Sequence, residues 1–427
     1  MVRTLTLSTI TIMLLITALV TVNGLLLTLI LPFFLALSIG VYYAVDQLQV
    51  KATRTLSTER LLAGSTLRVT ITVTNKGGYI SELQIEDVIS PRLNVTEGYT
   101  SLITSMESGE TVTLSYELNG PRGQYHFPSL YVVASDPLGL FWRRKMLAVE
   151  GVTESLIVPK VEKVNAITIR PRHTRAFAGY IPARIAGSGI NFFGVREYRA
   201  GDSLRHVNWK ATARHNNTIF TNEFEQERVT DIGIIVDARE RAIVRAEDSG
   251  LLEYGIEAAS TFSDSLLAAG NRVGLLVYGS YLDWTVPGYG KLQQQKILQS
   301  LSATKLGSSQ VFETLDHLPT RLFPVKSQII LISPLLQDDI RAVHSMRARG
   351  YAVLIVSPDP VTYEYSLLED SETTRLAARL ARIERELLLR QLRQLGAQVV
   401  NWDTRQSLAD LVKAKLQRPL RDVEIFV

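Results

Sequence analysis

The sequence predicts a multidomain chain made of an N-terminal transmembrane helical hairpin, an immunoglobulin-like β-sandwich, a charged linker and an α/β domain. Three observations carry this prediction. The stretch up to residue 45 holds two apolar runs, the stretch 51–160 alternates apolar and polar residues with period two, and from about residue 230 β-rich runs alternate with helical patterns. With 427 residues there is room for two or three cores, at about 100 to 200 residues per domain. The expected boundaries are 1–46, 51–160, 161–229 and 230–427.

The hairpin comes first. Leu5–Val22 and Leu25–Val45 contain no charged residue and meet at Asn23-Gly24, a turn-forming pair. Each run is long enough to cross a hydrocarbon core of roughly 30 Å. A cleaved signal peptide is the competing reading, but its apolar core is shorter and is followed by soluble chain rather than by a second apolar run. Arg3 precedes the first run and Lys51, Arg54 and Arg60 follow the second, so the positive-inside bias places both ends, and with them all later domains, in the cytoplasm of a multi-pass cell-membrane protein.

Next come the strands. Leu67, Val69, Ile71 and Val73 alternate with Arg68, Thr70, Thr72 and Thr74 before the turn Asn75-Lys76-Gly77-Gly78. Val112, Leu114 and Tyr116 repeat the pattern, and Leu130–Val133 is another short run, so this region is expected to be a β-sandwich. Asp136-Pro137-Leu138-Gly139-Leu140-Phe141 reads as a turn returning the chain to a final strand. Nothing in this region carries catalytic chemistry.

In the last region the expected strands are 232–236, 272–278, 328–332, 352–356 and 398–401, with helices near 248–269, 291–302, 338–349 and 372–395. Such alternation gives a mostly parallel sheet covered on both faces. Binding sites in these sheets lie beyond the carboxyl ends of the strands. Asp237 and Ser333 are placed there.

Composition excludes several classes. Apolar residues make up 46% of the chain, and 46 basic against 42 acidic residues leave a formal charge of +4, which gives no support for nucleic-acid binding. Without cysteine there are no disulfides, thiolate zinc sites, iron–sulfur clusters or thiol nucleophiles. The six histidines are scattered. Neither a P-loop, a dinucleotide loop nor a Gly-x-Ser-x-Gly elbow is present.

The densest chemistry lies between Gly187 and Arg214. Arg196, Glu197, Tyr198, Arg199, Gly201, Asp202, Arg205, Asn208, Trp209, Lys210 and Arg214 crowd this stretch, which no amphipathic element requires. One reading is a docking surface for an acidic partner, with arginines giving directional contacts and an aromatic anchor. The other is an internal network, Arg196 to Asp202 for example, that locks the linker, makes Gly201-Asp202 a tight turn and buries Trp209.

Gly187, Gly189, Phe192, Arg196-Glu197-Tyr198, Gly201-Asp202, Arg205, Asn208-Trp209-Lys210 and Ala213-Arg214, with the earlier Pro121-Arg122-Gly123 and the 136–141 segment, resemble the signature of the membrane-anchored family catalogued as domain of unknown function 58. The resemblance implies a von Willebrand factor type A-like (Rossmann-like) α/β domain. It also implies association with hexameric ATPases of the MoxR type and a scaffold or adaptor role rather than an enzymatic one.

Type A domains hold a divalent metal through an aspartate followed at two and four positions by serines. Here those positions carry Arg239 and Arg241 after Asp237, and guanidinium groups offer a metal no lone pair. A degenerate site without metal or other cofactor is expected, made of Asp237, Arg239, Arg241 and Ser333, with one arginine paired to Asp237. Asp338 and Asp339 follow Ser333 shortly. The alternative reading is a metal-dependent hydrolase with its site near Asp237.

The 372–395 helix carries Leu376, Leu380, Ile383 and Leu387, then Leu388, Leu392 and Leu395, read as one stripe covering the sheet. Arg375, Arg379, Arg382, Arg385, Arg390 and Arg393 form its expected basic, solvated face. Contact of that face with anionic lipid or with an ATPase is a further expectation.

Overall fold

The computed structural model describes residues 2–45, 47–164, 167, 175–215, 218–242, 244, 250–279, 281–307 and 313–416, without side-chain detail for 175–191, 193 and 224–229. The chain divides into two compact units, Met1–Val158 and Pro159–Val427.

The first unit opens with two helices, Val2–Thr21 and Gly24–Tyr42. Both are long and apolar enough to cross a membrane. Ile12, Met13, Ile16, Val20, Leu31, Phe34 and Leu35 are exposed rather than packed into a core, as lipid-facing residues would be. Asn23 caps the second helix by accepting from the Leu25 N–H at 3.0 Å, so the turn expected from sequence is a helix start.

The sheet-rich part follows. A five-stranded and a four-stranded sheet share one apolar core, drawn from Leu67, Val69, Ile71 and Val73 on one sheet and Leu83, Ile85, Val132 and Ala134 on the other. The period-two pattern buries these alternate residues at Leu67–Asn75 as the sequence predicts. Asp136 closes the turn between Leu130–Ser135 and Trp142–Leu147, accepting from the backbone N–H groups of Leu138 at 2.9 Å and Phe141 at 2.5 Å. Gly40 of the second helix lies against Leu140 and Phe141, where a Cβ would come within 3.1 Å of both side chains. The turn therefore ties the apolar hairpin to the sheets.

The second unit begins with a feature absent from the sequence reading. Within the stretch read as a linker, Arg175–Glu197 and Phe220–Val229 pair as an antiparallel two-stranded ribbon. After it comes a six-stranded sheet in the order Leu282–Gly288, Arg272–Tyr278, Asp231–Asp237, Gln328–Ile332, Ala352–Pro358 and Gln398–Trp402. All neighbours are parallel except the edge strand Leu282–Gly288, which runs antiparallel to Arg272–Tyr278. Every residue of Asp231–Asp237, Gln328–Ile332 and Ala352–Pro358 is buried, which is why these strands read as continuous apolar runs. Two cores, one on each face, are capped by helices Leu251–Ala268 and Gly290–Ala303, and by Asp339–Ala348 and Glu372–Gln394.

The helix Glu372–Gln394 departs from expectation. Ala378, Arg385, Leu388, Leu389 and Leu392 face the sheet. Leu376, Leu380, Ile383 and Leu387 do not; they lie 68%, 59%, 59% and 53% exposed. At 100° per residue the leucine-rich sequence makes two apolar faces on opposite sides of the helix, and periodicity cannot tell which one meets the sheet. Arg385, counted with the solvated basic face, is buried.

Candidate functional site

The strand order reverses between Asp231–Asp237 and Gln328–Ile332: the chain steps outward on one side of Asp231–Asp237, then returns to its other side. Such a switch point opens a crevice at the carboxyl ends of the strands. Asp237 ends one of the two strands, and Ser333 immediately follows the other. The Ser333 hydroxyl donates to Asp237 Oδ2 at 2.6 Å.

Arg239 fills this crevice. Its Nε donates to Asp237 Oδ1 at 2.9 Å and its Nη2 to Asp237 Oδ2 at 2.8 Å. The same guanidinium donates to Asp339 Oδ1 at 3.0 Å and Oδ2 at 2.9 Å, and to the Glu313 carbonyl at 2.8 Å. Arg239, Asp237 and Asp339 are all buried. Burial alone would weaken the charge on Arg239, but hydrogen bonding to Asp237 and Asp339 outweighs it and the guanidinium binds its proton more tightly than usual. Burial pushes the Asp339 carboxyl up, opposed by Arg239. Arg241, half-exposed, pairs with Asp338. The arginines two and four positions after Asp237 thus take the two consecutive aspartates, Arg239 pairing with Asp339 and Arg241 with Asp338.

These residues do not fit a divalent cation. The Asp237 and Asp339 carboxylates each receive two guanidinium hydrogen bonds, and a metal between them would sit against a positive charge that cannot be shed. Among the described residues, no group of three histidine or acidic side chains is placed to hold a metal.

Further along the same edge, Arg385 performs the parallel task. It donates to the Pro334 carbonyl at 2.8 Å, the Ser357 hydroxyl at 2.8 Å and Asn401 Oδ1 at 2.8 Å, and it lies 3.2 Å from Asp359. Burial pushes its pKa down to about 10. Sequence reasoning placed Arg385 on the solvated face and gave Asp359 and Asn401 no role beyond the positions of Asn401 at the end of the last strand and of Asp359 just after its neighbour.

The signature residues gather at the ribbon. Arg196 donates to Asp202 Oδ2 at 2.7 Å and Oδ1 at 2.8 Å, and to Glu223 at 3.1 Å. The Tyr198 hydroxyl donates to the Asp202 carbonyl at 3.0 Å, and the Arg199 N–H to Asp202 Oδ2 at 2.8 Å. Gly201 sits in this turn with φ of 106°, which a side chain resists. Hydrogen bonding to Arg196 holds the Asp202 carboxyl down to about 2. Asn208 starts the helical turn Trp209–Thr212 by accepting from the Ala211 N–H at 2.9 Å, and donates to Asn222 at 2.7 Å. Glu223 and Asn222, on the partner strand, carried no signal in the sequence.

Other signature residues stay outside this network. Trp209, which the internal-network reading expected to be buried, is 70% exposed, and Leu204 is 72% exposed. Arg205, Lys210 and Arg214 are exposed as well. Glu197 contributes its carbonyl, which accepts from Arg196 at 2.9 Å, while its side chain is exposed.

Fold and site together define a chain with two apolar N-terminal helices, a sheet-rich region and an α/β region whose strand ends are sealed by arginine, joined to a ribbon with an ordered turn. The family model described as "Protein of unknown function DUF58" matches residues 194–373 of the chain. That match spans the ordered turn, Trp209, Asp237, Arg239, Arg241 and Ser333, and leaves the apolar helices, the sheet-rich region and most of Glu372–Gln394 outside it. The chain is similar to "Uncharacterized protein YeaD" of Bacillus subtilis (strain 168), 26% identical over 255 residues, which cover 58% of this chain and 60% of that relative. The alignment thus spans less than two thirds of the relative's length. Among solved structures it matches a FixG-related protein from Vibrio parahaemolyticus at 14% identity and a TM-score of 0.18, over 26% of this chain and 98% of that one. It also matches the cupredoxin domain of amoB from Nitrosocaldus yellowstonii at 16% identity and a TM-score of 0.17, over 29% and 98%. Neither likeness is close enough to bear on fold or function.

Proposed function

We propose that this chain is a membrane-anchored scaffold that binds protein partners, a MoxR-type ATPase among them, during assembly or maturation of other proteins. One observation carries the reading: Arg196, Asp202, Glu223, Asn208 and Asn222 fix a turn whose neighbours Leu204, Arg205, Trp209, Lys210 and Arg214 are left in solvent. Large apolar residues held exposed on an ordered frame, ringed by cations, match the anchor-and-rim pattern of a docking surface for an acidic partner. In this reading the sheet-rich region is an immunoglobulin-like sandwich and the α/β region a von Willebrand type A-like domain that has exchanged its cation for Arg239.

The test is affinity capture of the full chain from native membranes. The wild type is expected to recover a hexameric ATPase, and Trp209→Ala or Arg205→Glu to lose it with an unchanged thermal midpoint. Identical recovery by all three proteins would remove the docking surface. In the same reading both soluble regions lie in the cytoplasm, following Arg3, Lys51, Arg54 and Arg60. Protease added to sealed, right-side-out cells is then expected to spare everything after residue 50, and digestion would reverse the placement.

A further inference from the structure

We infer that the outer face of Glu372–Gln394 pairs with the same face of a second copy of this chain, as a two-stranded antiparallel coiled coil. Leu376, Leu380, Ile383 and Leu387 are spaced four, three and four residues apart, the narrow alternating stripe of a coiled-coil seam rather than the broader apolar face of a sheet-covering helix. All four are more than half exposed while the opposite face is packed on the sheet, so the helix has two partners' worth of apolar surface and only one partner among the described residues.

The charges beside the seam choose the occupant. With Leu380 and Leu387 at the first position of the heptad and Leu376 and Ile383 at the fourth, the position just before each first-position residue is filled in turn by Glu372, Arg379, Glu386 and Arg393. Their signs alternate. A two-fold antiparallel arrangement that sets Leu380 against Ile383 of the other copy, and Leu376 against Leu387, brings like positions of the two helices together along this flank. Arg379 then meets Glu386, and Glu372 meets Arg393, each twice by symmetry. Within one chain Arg393 bonds Glu386 at 2.9 Å, an exposed pair that pairing would exchange for contacts across the seam. Glu386 on this flank and Glu384 on the other edge the seam, and both would oppose an anionic bilayer. A self-complementary, net-balanced rim fits a second copy better than lipid.

The absence of cysteine makes the test direct. Two differently tagged full-length chains, one Leu376→Cys and one Leu387→Cys, are coexpressed in their native membrane and oxidised. The antiparallel seam predicts a disulfide between the two chains and little within either homotypic pair, whose like positions would stand about 16 Å apart along the helix, beyond disulfide reach. Leu380→Glu in both chains should cut the cross-link about tenfold or more, since a charge would be buried in the seam. Arg379→Glu should reduce it, and adding Glu386→Arg in the same chain should restore it. Homotypic disulfides as abundant as heterotypic ones would overturn the antiparallel arrangement. No disulfide at all, or thiols at 376 reached by water-soluble reagents only after the bilayer is dissolved, would overturn self-pairing.

Discussion

Arg239 and Arg196 make the same kind of contact in opposite surroundings. Each guanidinium bridges two carboxylates, Asp237 and Asp339 in one case, Asp202 and Glu223 in the other. The Arg239 side chain is 2% exposed and that of Arg196 32% exposed. In the crevice, with water excluded, the bridge closes the strand ends. On the ribbon, with water present, the bridge adds little stability of its own but orders a turn and so orients what protrudes from it. The difference separates a group that holds the fold from one that presents a surface.

Breaking the buried bridge should have the largest effect. Arg239→Met leaves Asp237 and Asp339 facing each other without a cation, and removing one partner of a buried pair costs about 3 to 5 kcal/mol. The two carboxylates then gain raised pKa values in the fold. Their contribution is therefore favourable below the ordinary carboxylate range and lost as pH rises through those values, so the variant should be weaker at pH 8 than at pH 4. Denaturant titration of the full chain in detergent, at both pH values, measures this. Adding Asp237→Asn and Asp339→Asn should recover most of the loss; a pH-independent defect would contradict the account.

Arg196→Ala is expected to act locally. In the wild type the depressed Asp202 carboxyl keeps its hold on the Arg199 N–H above its ordinary titration range and loses it only as pH falls through about 2. Without Arg196 that titration moves up, and hydrogen exchange at Arg199 should lose protection already near pH 4. Protection unchanged at pH 4 would mean that the turn does not depend on the ion pair. Smallest of all is the stability effect of Trp209→Ala, within about 0.5 kcal/mol as for other surface changes, even though the same variant is expected to lose its partner.

Periodicity made much of this structure legible. The period-two run at Leu67–Asn75 and the continuous runs at Arg272–Tyr278 and Gln328–Ile332 mark strands because burial on one or both faces writes itself into side-chain order. Asp237 was legible as a strand end, and charge alone said that one of Arg239 and Arg241 would pair with it, but not which. Asp339 was visible as a nearby acid, but its place opposite Arg239 depends on how a helix start folds back over the sheet. The ribbon was hidden because Arg175–Glu197 mixes glycine, proline and alanine without alternation. The edge strand Leu282–Gly288 has mixed burial and a weak pattern of its own. The outer seam of Glu372–Gln394 was visible as leucine spacing, but its direction depends on packing a single helix cannot encode.

One property of the ribbon bears on how it resists pairing with other chains. A 23-residue strand opposite a 10-residue one must eject residues, and its pairing shifts at four places, between Ala176 and Ile181, Ala183 and Ala186, Gly187 and Phe192, and Phe192 and Gly194. Each shift breaks the run of evenly spaced amide and carbonyl groups along the outer margin, and Pro182 removes one amide outright. An edge so interrupted offers a passing extended segment only a few consecutive bonds before the spacing fails, which guards a two-stranded element against recruitment into fibrils.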